Sequence, residues 1–165
     1  MMALYNNMID FYKVIIKDEK LMRLLYYPAK TTVDDPFSKS KPNLINSDIY
    51  KDDILKHRIL RAPNADGLVP GNEGICRICM YMGTSTRTDN IYVFNQRFVF
   101  DIFVNIQKYE MVDSRSLRII DRLNEIVNDE PVTGLGVCTN VTFSPITAPV
   151  GYIGYTSEFM FGSTK

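Results

Sequence analysis

The sequence predicts an α+β fold: a mostly antiparallel or mixed β-sheet with helices packed on one face. Three observations carry that expectation. First, Arg97 to Gln107 alternates strictly, with Phe98, Phe100, Ile102, Val104 and Ile106 on one side and Val99, Asp101, Phe103, Asn105 and Gln107 on the other. A period of two marks a strand with one face on a core and the other partly solvated. Second, a polar turn leads into an amphipathic stretch, Ser114 to Asn128, whose apolar stripe is suited to lie on that strand. Third, the elements read as helix, loop, strands, helix and two strands, an order that segregates helices from sheet.

The N-terminal element is helical and breaks once. Leu4, Met8, Phe11, Tyr12 and Ile15 recur at spacings of three and four. Asp18 fits an N-cap, because its carboxylate accepts free backbone N–H groups of a new first turn. A second helix then runs from Glu19 to about Tyr26 and stops before Pro28, since the residue preceding a proline is driven out of the α region. Residues 28–47 hold Pro28, Pro36 and Pro42 among polar residues, which predicts a long loop. Such loops inside small domains are commonly functional, so this one is a candidate contact arm. Ser47 is placed to cap a short helix over Asp48 to Lys56, with Ile49 and Ile54 inward. His57 to Ala62 is expected as a strand and Pro63 to Gly67 as a turn.

Ile75 to Met82 alternates, with Cys76, Ile78, Met80 and Met82 opposite Arg77. A polar run from Gly83 to Asn90 is expected to separate it from Ile91–Phe94. In the following helix Ser114 or Asp113 is the expected cap, Leu117, Ile120, Leu123 and Val127 point inward, and Ile119 and Ile126 flank them. Arg118–Asp121 and Arg122–Glu125 are i,i+3 pairs worth about 0.2–0.5 kcal/mol each, so packing must hold the helix. Pro131 and Gly134 end it. Leu135, Val137, Thr139, Val141 and Phe143 share the face of a next strand. Ser144-Pro145 and Ala148-Pro149 punctuate a turn, and Val150 to Met160 is a last, aromatic-rich strand.

Composition narrows the function classes. At 165 residues the chain is expected to form one domain. Lys+Arg and Asp+Glu are both 19, with no basic surplus of the kind a dedicated nucleic-acid binder shows. Three cysteines are too few for a disulfide framework and predict reduced thiols. The N-terminus lacks the basic and small-residue features of a signal peptide, and no stretch approaches the length of a membrane helix. These features predict a protein made in a cytoplasm, with no membrane partner.

The residues of catalysis are sparse. Cys76-x-x-Cys79 invites a zinc reading, but the further candidates, Cys138 and His57, are unpaired, and three residues along a strand aim the two thiols at opposite faces. A single histidine, His57, sits between Lys56 and Arg58 without an orienting carboxylate. Val69 to Gly74 lacks phosphate-loop spacing. The carboxylate pairs Asp34-Asp35, Asp52-Asp53 and Asp129-Glu130 read as solvated charges. No enzyme, cofactor or metal site is therefore expected. Ten Tyr and nine Phe could stack on bases, yet Phe98, Phe100 and Phe103 alternate with apolar neighbours and read as core. Phe159 and Phe161, near the chain end, fit a subunit contact or ordinary core equally.

The run Phe98 to Asn105, the helix Arg115 to Val127, the strand pair beginning at Leu135 and Val150, and the helix carrying Leu21 to Leu25 together resemble the ring-forming neck proteins of tailed bacteriophages, the tail terminator and tail completion group. The resemblance implies a subunit that closes into a ring, with six copies expected. Such a ring caps the tail tube, meets the head connector and lets DNA pass through its lumen without reading it. Its location would be the virion. Thr31, Asp35, Phe37, Lys39 and Lys41 in the arm, with Phe159 and Phe161, are then the candidate interface residues. A small enzymatic or ligand-binding α+β domain, and a different neck or baseplate subunit, are the alternatives.

Overall fold

The computed structural model describes residues 3–133 and 136–164. Two helices open the chain, α1 (Leu4–Ile16) and α2 (Glu19–Tyr26). The Asp18 carboxylate accepts from the Leu21 N–H at 2.7 Å, the expected cap. A π-helical segment, Tyr50–Arg58, leads into β1 (Ile59–Leu60). Then come β2 (Cys76–Arg87), β3 (Val93–Asn105), α3 (Arg115–Val127), β4 (Thr139–Ile146) and β5 (Tyr152–Thr164).

The strands form one five-stranded sheet in the order β1-β2-β3-β5-β4. Only β1 and β2 run parallel; the other neighbours are antiparallel. The α+β expectation therefore holds, as a mixed sheet. Register explains the core. Phe98 stands opposite Met82 and Phe159, Ile102 opposite Ile78 and Tyr155, and Val104 opposite Cys76 and Ile153. These side chains share the face on which Phe11, Ile15, Leu21, Leu24, Leu25, Ile120 and Leu123 settle, in one continuous cluster. Phe11 of α1 lies flat on Phe98, with ring centroids 4.0 Å apart. Behind the sheet, Cys79, Phe103 and Tyr152 pack with Leu68 under the loops that join the strands.

Several expectations are corrected. β3 ends at Asn105, whose side-chain oxygen accepts from the Lys108 N–H and caps a π-helical turn over Ile106–Glu110. The chain turns there, so Ile106 leaves the buried face and is 36% exposed. The polar run after Met82 does not separate two strands but extends β2 to Arg87, past a bulge between Met82 and Ser85, and pairs with the start of β3. Ladder hydrogen bonds keep polar residues in a sheet that their hydropathy does not announce. The strand expected over His57 to Ala62 shrinks to Ile59–Leu60. Tyr50, rather than Ile49, turns inward beside Ile54, because π-helical winding shifts the stripe. Arg77 is buried, donating to the carbonyls of His57, Asn64 and Asp66.

In α3 the buried stripe is Ser116, Ile119, Ile120, Leu123 and Val127, and Leu117 is 46% exposed. Neither expected cap serves. Ser114 takes a left-handed conformation at φ 50°, and Asp113 is occupied by Arg115 and Arg118. The Glu110 carboxylate caps instead, accepting from the N–H and the hydroxyl of Ser116. Arg122 pairs with Glu125 as expected, while Arg118 turns from Asp121 to Asp113 and Asp35. The helix stops at Val127, ahead of Pro131. Gly134 and Leu135 lie outside the described residues. Ser144-Pro145 falls inside β4 rather than in a turn; at the edge of a sheet a proline removes no ladder bond. Val150 and Gly151 belong to the turn before β5, where Gly151 has φ 82°.

Candidate assembly surfaces

Residues 28–47 form the irregular segment the sequence predicts, but it is strapped to the body. The strap is Arg23, which is 8% exposed and donates to the carbonyls of Pro36, Ser38 and Lys41 at 3.0–3.3 Å. A guanidinium offers five N–H donors in a rigid fork, enough to hold three carbonyls of one loop. Tyr27 donates its hydroxyl to the Pro42 carbonyl at 3.0 Å. The Lys41 ammonium meets the Asp34 carboxylate at 2.5 Å and holds its carboxyl below the usual range. Asp35, held low by the Phe37 N–H it accepts from, also receives Arg118 of α3 at 3.2 Å. The Arg118 guanidinium lies over the Phe37 ring, 5.0 Å from its centroid.

These contacts sort the candidate interface residues. Thr31, Asp35 and Lys39 are exposed on the outer rim of the strap, whereas Phe37 and Lys41 are half-buried and already engaged within the chain. Phe159 and Phe161 are core residues. Phe159 packs edge-on against Phe100 with centroids 5.7 Å apart, and Phe161 meets Phe11 at 5.2 Å. The open alternative between contact and core is thus decided by register, since β5 continues to Thr164 and carries both rings under α1.

The residues considered for chemistry stay apart. Cys76 lies in the main core, and burial pushes its thiol up to about 12. Cys79 lies behind the sheet, its sulfur 3.2 Å from the Asn64 carbonyl. His57 is exposed, and Cys138 is buried beside the start of β4. Among the described residues no three His, Cys, Asp or Glu side chains gather as ligands for a metal ion. Asp52 pairs with Lys56 and Asp53 with Arg58.

Two surfaces carry exposed apolar side chains that periodicity did not single out. At the β2–β3 hairpin tip Ile91 and Tyr92 are 70% and 68% exposed, above an open hollow of about 460 Å³ lined by Arg87, Thr88, Asn90, Val93 and Phe94. The second is the β4 edge. Here the expected face is inverted: Val137, Val141 and Phe143 are exposed, while Asn140 and Thr142 are half-buried. A bulge between Asn140 and Thr142 and the outermost position of β4 account for this. Phe143 leans on Tyr155 of β5, centroids 5.0 Å apart, at a margin of the sheet. β4 has no charged residue at its open edge, where Pro145 and the bulge are the features that limit pairing. No described helix is long and apolar enough to cross a membrane.

A family model described as YomW matches residues 18–161 of the chain. The SPbeta prophage-derived protein YomW of Bacillus subtilis (strain 168) is similar over 169 residues, with 31% identity, and the alignment covers 96% of each chain.

Proposed function

This chain belongs to the YomW family, and from that membership we propose that it is a phage-derived protein with a structural role in the virion. The family links it to a prophage protein, and the resemblance to ring-forming neck proteins makes the role specific. The proposed subunit closes into a ring of six on the end of the tail tube, stops its growth, and offers the opposite side to the head connector. DNA passes through the lumen unread, which a chain with equal numbers of acidic and basic residues suits. The protein is not an enzyme on this reading, and it binds no cofactor.

The observation that carries the reading is the open β4 edge with Val141 and Phe143 uncovered, in a sheet whose main core is well filled. A strand at the end of a sheet leaves unpaired backbone groups on offer, and exposed apolar side chains beside them commonly mark an association surface. A head-to-tail contact closes into a ring when its rotation divides a full turn and carries no rise along the axis.

The purified full-length protein is expected to form rings, or an oligomer of matching mass, in negative-stain micrographs and native mass spectrometry. A strictly monomeric species at high concentration, with no ring at the neck of the assembled particle, contradicts it.

A further inference from the structure

The two lateral sides of the subunit are unlike in charge. The sheet order puts β4 on one outer edge and β1 on the other. At the β4 side, the C-terminal end of α3 is tied to the start of β4: the Asn140 N–H donates to the Asn128 side chain at 2.7 Å, and the Asp129 N–H to the Cys138 carbonyl at 2.7 Å. This brings Asp129 and Glu130, both exposed, to the flank of the uncovered Val137 and the start of the strand that carries Val141 and Phe143. Asp121 and Glu125 lie on the other flank of α3, in a hollow shared with Lys20, Arg118 and Arg122, where their charge is balanced.

The β1 side carries the opposite sign. The Tyr50 hydroxyl donates to the Ile16 carbonyl at 2.8 Å, and the Arg61 guanidinium lies 4.9 Å from the Tyr12 ring centroid, so the end of α1 and the π-helical segment share one surface. Lys13, Lys17, Lys51, Lys56 and Arg61 are exposed on these elements. Asp48 and Asp52 are the exposed acids there, and Asp52 is already paired with Lys56 at 2.7 Å. Arg61 borders a hollow of about 400 Å³ that Tyr12, Leu55, Ile59 and Leu60 line together with the polar Asn64.

We infer that these two sides meet: the acid-flanked apolar edge at β4 of one copy seats on the basic, apolar-floored hollow beside β1 of the next. The inference rests on the ring reading above and names the surfaces that close it. The occupant is a second copy because one chain carries both halves of the match, on opposite edges of its sheet. That is the geometry of a heterologous contact. Complementary charge fixes orientation and register, and the apolar centre supplies the burial.

Charge reversal on the full-length protein tests it. One variant carries Asp129→Asn with Glu130→Lys, and a second carries Lys17→Glu with Lys51→Glu; all four side chains lie on the surface, and far-UV circular dichroism with melting curves verifies each fold. By sedimentation velocity, each variant alone should associate roughly a hundredfold more weakly than wild type, because like charges face each other across the contact. Mixing the two variants in equal amounts should restore the oligomer, since each reversed acidic side then meets a reversed basic side. A chain bearing all four substitutions should also assemble. If wild type assembles and neither variant weakens it, or if weakened variants are not rescued by mixing, the contact lies elsewhere and the inference falls while the ring stands. A wild type that stays monomeric removes the ring reading and this inference with it.

Discussion

Replacing Arg115 by alanine is expected to cost about 3–5 kcal/mol of stability, the usual loss when one partner of a buried ion pair is removed. Arg115 is fully buried, although arginine is among the residues least often found inside. Its guanidinium donates to the Asp113 carboxylate at 2.9–3.1 Å and to the carbonyls of Leu24 and Tyr27 at 2.6 and 2.7 Å. It also sits 5.2 Å from the centroid of the Tyr109 ring. One side chain therefore satisfies the C-terminal carbonyls of α2 and ties that end to the start of α3. Truncation leaves Asp113, only 10% exposed at its side chain, facing a void with Arg118 as its remaining cation. Urea denaturation followed by circular dichroism should show a lower midpoint with an unchanged slope. A loss below about 1 kcal/mol, the scale of a surface pair, would contradict the role assigned to it.

Phe98→Ala is the second large effect, expected at about 3–5 kcal/mol for a buried aromatic truncated in a packed core. Phe98 is fully buried at the centre of the sheet, stacked on Phe11 with 13° between the rings and 5.1 Å from the Phe100 centroid. Because α1 rests on β3 through this contact, Phe11→Ala should destabilise comparably. The double variant should then lose about 0.5–1.5 kcal/mol less than the sum of the two, the part that belongs to the ring pair itself. Strict additivity would mean that the rings fill space independently and that stacking does not dock α1.

The central strand and the helices that cover it were legible because their signals are local and repeated. Phe98, Phe100, Ile102 and Val104 alternate without interruption and are all buried, and Asp18 caps α2 as its position suggests. Legibility ends where tertiary partners choose. Nothing in hydropathy says that Arg23, Arg58, Arg77 and Arg115 turn inward, since each is held by carbonyls distant in sequence. Leu117 is exposed because Arg115 and Ser116 take the inward positions at the start of α3. The β4 face was inverted because a bulge and an edge position reverse what alternation alone predicts for Val141 and Phe143.

Which of the proposed interface residues reach the surface was legible in part for the same reason. The arm residues Thr31, Asp35 and Lys39 are on the surface, as a polar, proline-bearing segment suggests. Phe159 and Phe161 are core, because a strand that pairs to the chain's last residues places them under α1. The charge division between the β1 and β4 sides has no one-dimensional signature, since Lys13, Lys17, Lys51 and Arg61 converge from separate elements.

The most direct measurement is electron microscopy of lysates from a lysogen in which the gene for this chain is disrupted. A ring that caps the tail tube leaves, when absent, tails that have grown past their normal length and filled heads unattached to them, and supplying the protein in trans restores joined particles. Complete particles with tails of normal length, produced without this protein, would contradict that role.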